Sequence, residues 1–233
     1  VGRGNLGIIF ARPETGKTAF WVSLVASGGG FAWQQKKVSI FANEEPAIRT
    51  QMRLLNACTG LQRGSILNGS RDIAKEKWAD VSPYIENFDC VGKTMDDLNE
   101  DCTNNDVDIL VIDQLDKINV TGKFNATHEK LREVYTQARE LAKRHSILVI
   151  GMSQASAEAQ GRSRVTFSTM ENSKTGKAAE ADIILGLGKE DEQENFMDDC
   201  IRFVTLSKNK LTGDHKEFEV ILRPTISRFA ERN

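Results

Sequence analysis

Short apolar runs alternate along this chain with longer stretches whose apolar positions recur at helical spacing. Leu6 to Ala11 (LGIIFA), Val38 to Ala42 (VSIFA), Ile109 to Ile112 (ILVI) and Ile147 to Ile150 (ILVI) are apolar with little alternation. That pattern belongs to strands covered on both faces. Between them, Thr18 to Ala26, Pro46 to Ala57 and His128 to Arg144 predict helices. In the last of these, Leu131, Val134, Tyr135, Ala138, Leu141 and Ala142 fall on one face. Strand, helix, strand in this order predicts an α/β protein with a mostly parallel twisted sheet flanked by helices. Nearer the C-terminus, Asp182 to Leu187, Arg202 to Leu206 and Phe218 to Leu222 read as strands with little helix between them. The sheet should therefore gain an antiparallel hairpin edge, with Leu211 to Lys216 as its turn. Asp116 to Thr127 and Ala155 to Gly176 are polar loops. The second runs about 20 residues, against the ~4–6 of an ordinary connection, which marks a working loop.

Composition narrows the picture. The 233 residues are 39% hydrophobic, enough for a sizeable core, and no boundary divides them, so residues 1–233 are expected to form a single domain. Lys plus Arg is 31 against 33 Asp plus Glu, a formal net charge of -2. A polybasic carrier is excluded, and any nucleic-acid contact needs a local basic patch. No apolar run approaches the ~20 residues of a membrane helix. Cys58, Cys90, Cys102 and Cys200 are scattered without a C-x-x-C pair, which argues against a zinc site or disulfide framework and for a reducing cytoplasm. The opening Val1-Gly2-Arg3-Gly4 has neither an initiator Met nor a signal-peptide pattern and reads as the start of an excised piece.

The sharpest local signal is Ala11-Arg12-Pro13-Glu14-Thr15-Gly16-Lys17-Thr18, a G-x-x-x-x-G-K-[ST] loop with Ala11 in place of the first glycine. A buried strand ends there, the backbone N–H groups of Pro13–Ala19 turn inward where they can (Pro13 has none), and the next helix aims its positive end at phosphates. Gly16 admits close approach, Lys17 reaches the β- and γ-oxygens, and Thr18 offers a hydroxyl to Mg²⁺. Pro13, Glu14, Thr15, Gly16, Lys17, Thr18 and Ala19 are thus the expected nucleotide-binding residues. Asp113, closing the Ile109 to Ile112 run, is the expected second Mg²⁺ group, acting through a water. Hydrolysis needs a group that orients or deprotonates water. Val38 to Ala42 leads into Asn43-Glu44-Glu45, where Glu44 stands nearer the strand and Glu45 also suits a helix start. Glu44 is the expected base. Gln154, leaving the next apolar strand, is either a γ-phosphate sensor or an ordinary loop-opening glutamine.

These elements, in this order, resemble the motor domain of DnaB-type hexameric replicative helicases, RecA-like P-loop ATPases, and most of all the helicase half of short-tailed phage primase-helicases. ARPETGKT stands where that family has its Walker A loop, FANEEP where it has its catalytic glutamate, ILVIDQLD at the Walker B strand and ILVIGMSQAS at the sensor strand. Leu206 to Asp214 (LSKNKLTGD) is similar to the family's Lys-x-Arg-x-x-Gly hairpin, which reaches into a neighbouring subunit's nucleotide site. The resemblance implies that Lys208 and Lys210 act in trans on the γ-phosphate. It implies a hexameric ring hydrolysing ATP with Mg²⁺, 5′-to-3′ movement on single-stranded DNA, and a primase domain or partner. A phage-encoded protein working in the host cytoplasm is the corresponding expectation. Lys210 departs from the family's arginine finger, keeping the charge but losing the planar fork. Glu171 to Asp182 follows the family's pattern only loosely.

Tracking a DNA backbone requires cations and donors rather than base-specific groups. Arg162, Arg164, Lys174 and Lys177, in the loop after Gln154, are the expected DNA contacts, with Asp116 to Lys123 a weaker candidate. A RecA- or KaiC-like ATPase that binds DNA or protein without unwinding is the alternative. A nucleotide kinase lacks an evident arginine-rich lid.

Overall fold

The computed structural model describes residues 2–171, 176–190 and 195–232. Among them, β1 (Leu6–Ala11), β2 (Val38–Ala42), β3 (Ile85–Asp89), β4 (Ile109–Asp113), β5 (Leu148–Gln154) and β6 (Ile183–Gly188) pair in parallel. Then β7 (Ile201–Asn209), β8 (Glu217–Arg223) and β9 (Arg228–Glu231) continue the sheet antiparallel. The order is β3-β2-β4-β5-β1-β6-β7-β8-β9. Helices make the crossovers: α1 (Lys17–Ala26) after β1, then α2 (Ala47–Thr59), α3 (Arg63–Leu67) and α4 (Arg71–Ala79) after β2. They are followed by α5 (Met95–Asn104) after β3, α6 (Thr127–His145) after β4, and the short α7 (Lys177–Glu180) and α8 (Phe196–Asp199) ahead of β6 and β7. The mostly parallel sheet with an antiparallel hairpin edge is the architecture its hydrophobic pattern predicts.

The strands β1, β2 and β4 are buried at every position because helices cover both faces. On one face Phe10, Leu110, Ile112 and Val149 pack with Leu98 of α5 and Val134, Tyr135 and Leu141 of α6. On the other, Ile9, Ile40, Val111 and Met152 pack with Trp21, Val22 and Val25 of α1 and Leu54 of α2. Each such side chain contributes roughly 1.5–3 kcal/mol of transfer free energy. A buried pair between Arg139 of α6 and Asp182 pins that helix, since Asp182 also accepts from the Leu6 N–H at 2.9 Å.

Two strands are absent from the hydrophobic pattern. In β3, Ile85-Glu86-Asn87-Phe88-Asp89 occupies the sheet edge, so only half of it is covered and its charged positions face water. β9 is four residues long and is held by pairing with β8 rather than by its own composition.

Candidate functional site

The parallel strands carry their polar residues to one edge. β1 ends at Ala11, which pairs with Gln154 of β5 and Leu187 of β6, while Ala42 of β2 pairs with Asp113 of β4. That C-terminal edge is where open α/β sheets bind ligands. From Ala11 the chain turns through Glu14 (φ 63) and Gly16 (φ 105) into α1, whose first turn carries neither an acidic residue nor a side-chain cap. Its N–H groups are left for an anion.

A cleft of about 560 Å³ opens there, lined by Arg12, Pro13, Glu14, Gly16, Lys17, Thr18, Ala19, Glu44, Glu45 and Gln154, together with Arg49, Arg53, Leu222 and Pro224. Thr15 alone of the expected loop residues does not line it; its side chain is buried and faces an adjoining cavity. Asp113 is buried, and its Oδ2 accepts from Trp21 Nε1 at 2.9 Å and from Thr18 Oγ1 at 3.4 Å. Its Oδ1 is buried without a hydrogen-bond partner. Burial pushes the Asp113 carboxyl up, and the neighbouring Lys17 charge and the Trp21 indole pull it back. An orphaned carboxylate oxygen behind a threonine hydroxyl suits a hard cation that keeps its waters, so the donor set fits Mg²⁺.

Both adjacent glutamates line the cleft, and they differ in their partners. Glu45 makes a paired contact with Arg53, at 2.9 Å to Nε and 2.7 Å to Nη2. Glu44 is the carboxylate that faces the loop. One of its oxygens lies 3.6 Å from Lys17 Nζ, and the other accepts from the buried Gln114 side chain. Gln114 is fixed in turn by Asn43, whose amide oxygen takes the Gln114 N–H at 2.6 Å and whose amide nitrogen reaches the Gln114 carbonyl at 3.0 Å. Trp21, Asn43 and Gln114 thus support the cleft without having been singled out in the sequence. The signal for Trp21 was its i,i+3 spacing from Thr18 on one helix face.

Arg202 of β7 was also missed. Its guanidinium is buried and donates from Nε to the Thr15 carbonyl at 2.7 Å, with further bonds to the Asp199 and Ile201 carbonyls at 2.5 and 2.7 Å. Burial draws its pKa below the ordinary arginine value. The phosphate loop therefore rests on a buried cation from β7, two strands away from β1 in the sheet.

The hairpin lysines lie elsewhere. Lys208 pairs in register with Ile184, and the Lys210 N–H donates to the Asp182 carbonyl at 2.8 Å, at the start of β6. β6 runs parallel to β1, so both lysines sit toward the edge opposite the cleft. Their ammonium groups rest on α7: Lys208 donates to the Ala178 carbonyl and Lys210 to the Ala179 carbonyl at 2.8 Å.

The long loop leaves and returns at one point. Ala155 bridges to Met170, and the Glu171 N–H donates to the Gln154 carbonyl at 2.9 Å. Buried Ala159, Val165 and Met170 pin it to the core, while Arg162, Arg164 and Phe167 are exposed. A methyl group at Gly186 or Gly188 would overlap the carbonyl oxygens of Val165 or Ser163, so these glycines let the loop lie flat on β6. Lys174 lies outside the described residues. Lys177 corrects an expectation: it is not a solvent-facing DNA contact. It is 0% exposed, with Nζ 2.6 Å from Asp116 Oδ1 and 5.2 Å from the Tyr135 ring centroid. Its carboxylate partner comes from the loop after β4, which the local sequence around Lys177 does not reveal.

A family model described as the DnaB-like helicase C terminal domain matches residues 1–231. A probable plasmid replicative DNA helicase of Chlamydia psittaci is 28% identical over 227 residues, covering 90% of this chain and 48% of the relative. The replicative DNA helicase DnaB of Buchnera aphidicola subsp. Acyrthosiphon pisum (strain APS) is 26% identical over 175 residues, 69% of this chain and 37% of the relative. The chain thus spans about half, or less, of the length of these curated relatives. A solved ATPase domain superimposes with a TM-score of 0.81 at 21% identity, covering 100% of this chain and 86% of that one. A DnaB-like replicative helicase, solved in a study of its interactions with primase, gives a TM-score of 0.80 at 22% identity, covering 100% and 58%. At these identities the structural likeness establishes the fold.

Proposed function

Since the chain belongs to the DnaB-like helicase C-terminal domain family, we propose that residues 1–233 are one motor domain of a replicative DNA helicase. On this reading it hydrolyses ATP between the subunits of a hexameric ring, moves 5′-to-3′ on single-stranded DNA and unwinds duplex. The observation that carries it is the convergence of Lys17, Thr18, Asp113, Glu44 and Gln154 on one cleft at the strand edge. The phosphates lie against the first turn of α1, with Lys17 on the β- and γ-oxygens. The apolar Leu222 and Pro224 wall suits the base. Thr18 and Asp113 would hold Mg²⁺, which would neutralise charge building on the phosphate oxygens. Glu44, oriented by Gln114, accepts a proton from the attacking water, and Gln154 hydrogen-bonds the γ-phosphate.

Lys208 and Lys210 face away from their own cleft, which supports action on a neighbour's nucleotide. The exposed Arg162 and Arg164 are the DNA contacts we favour, because both side chains are free to meet a phosphate backbone. A primase partner and a bacterial host cytoplasm complete the proposal. No helix among the described residues is long and apolar enough to cross a membrane.

The test is ATP hydrolysis across a protein concentration series, with and without single-stranded DNA. A specific rate that climbs with concentration, and climbs further with DNA, is expected. A rate independent of both would replace the motor with a self-contained, non-unwinding ATPase.

A further inference from the structure

Four polar side chains from four segments meet inside the molecule, on the face of the sheet covered by α6. Asp116 follows β4, Tyr135 lies on α6, Ser153 on β5, and Lys177 opens α7. Lys177 Nζ is 2.6 Å from Asp116 Oδ1 and 3.4 Å from Ser153 Oγ. Asp116 is otherwise satisfied, accepting from Tyr135 Oη at 2.8 Å and from Ser153 Oγ at 2.7 Å. A fully buried ammonium costs several kcal/mol to desolvate, and a well-packed apolar pair would serve stability as well. What the charged pair adds is a fixed position for the element that carries it.

That element is α7, four residues from Lys177 to Glu180. So short a helix has no stability of its own. Its carbonyls are nevertheless the seat of both hairpin lysines, Ala178 for Lys208 and Ala179 for Lys210. At the other end of the chain of contacts, Ser153 is the covalent neighbour of Gln154, which lines the nucleotide cleft. The path Gln154, Ser153, Asp116, Lys177, α7, Lys208 and Lys210 is continuous, crossing from the cleft edge of the sheet to the opposite edge.

We propose that Ser153, Asp116 and Lys177 are positioning residues that place the finger lysines according to the state of the sensor strand. A γ-phosphate held by Gln154 in one subunit then sets how that subunit presents Lys208 and Lys210 to its neighbour. This rests on the reading that these lysines act in trans.

The test uses mixed rings. A Lys17→Ala subunit donates only its finger, and a Lys210→Ala subunit keeps only its site, so their mixture should recover hydrolysis. Placing Lys177→Met in the Lys17→Ala subunit should cut that recovered rate at least tenfold. In an otherwise native subunit, Lys177→Met should leave nucleotide affinity of its own cleft within about twofold, which a general loss of structure would not. Because an unpaired Asp116 can unfold the chain, the double change Asp116→Asn with Lys177→Met removes both charges and keeps a side-chain amide for the Tyr135 and Ser153 hydroxyls. It should melt like the parent and donate the finger as poorly. Full recovery with either variant overturns the proposal. No recovery from the parent mixture removes the trans reading itself, and the proposal with it.

Discussion

At the scale of single residues, the two glutamates at the end of β2 are chemically alike and differ only in what holds them. Glu45 is occupied by Arg53, and Glu44 faces Lys17 with Gln114 behind it. Glu44→Gln is expected to bind ATP and slow its cleavage by about 10²–10⁴, the usual worth of a positioned base. Glu45→Gln should instead loosen Arg53 and leave turnover largely intact; single-turnover kinetics on both variants distinguish the roles. Arg202→Met leaves the Thr15 carbonyl, bonded at 2.7 Å in the parent, without its buried partner. A lost buried partner costs about 1–3 kcal/mol, so ATP affinity should weaken roughly tenfold or more, read by fluorescent-nucleotide titration. Of the difference between the two glutamates, the sequence showed only their placement after the strand. Arg202 was not legible there, because it and Thr15 are 187 residues apart.

Among the elements, the long loop and the hairpin are where conformation and charge can be separated by experiment. Gly188→Ala would drive a methyl group into the Ser163 carbonyl and lift the loop off β6. A stability loss of about 1–3 kcal/mol is expected from such overpacking. The DNA-stimulated rate should fall more than the basal rate, since the loop carries Arg162 and Arg164. Lys208 offers a pH test. Burial lowers its pKa from the ordinary 10.5 to about 8, with Lys210 adding to the effect. Between these values the unfolded chain holds a proton the folded one has released, so this residue makes folding more favourable as pH rises through that window. Function runs the other way: a rate that needs the Lys208 charge declines as pH passes about 8. Lys208→Arg, which stays charged, should carry that alkaline limb upward in a pH–rate profile. The hairpin and loop were visible as polarity and spacing, whereas β3 and β9 were not, since an edge strand needs no continuous apolar run.

For the whole molecule, the decisive fact is that the cleft and the lysine hairpin lie toward opposite edges of one sheet. From Leu6 to Ala11, β1 spans about 17 Å at ~3.3 Å per residue, too far for a lysine seated on α7 to reach its own phosphate loop. Mixing Lys17→Ala with Lys210→Ala subunits should therefore restore hydrolysis that neither has alone, measured as steady-state turnover against mixing ratio. The net charge of -2 places any affinity for DNA in local patches. Binding should accordingly weaken steeply with added salt, with a shallower slope once Arg162 and Arg164 are replaced by Ala.

The sequence alone determined the strand and helix order and the phosphate-loop motif, and it put Asp113, Glu44 and a long polar loop at the ends of strands. All of these are written locally, in periodicity or in residues that one turn of chain brings together. Tertiary structure alone decided that Lys177 is buried on Asp116, that Gln114 holds Glu44, that Arg202 underlies the phosphate loop and that Lys208 and Lys210 rest on α7. Each is a pairing of groups far apart in the chain, where the same lysine or arginine is equally at home in solvent until the sheet closes over it. Desolvation and partner choice are properties of the packed molecule, and no local pattern encodes them.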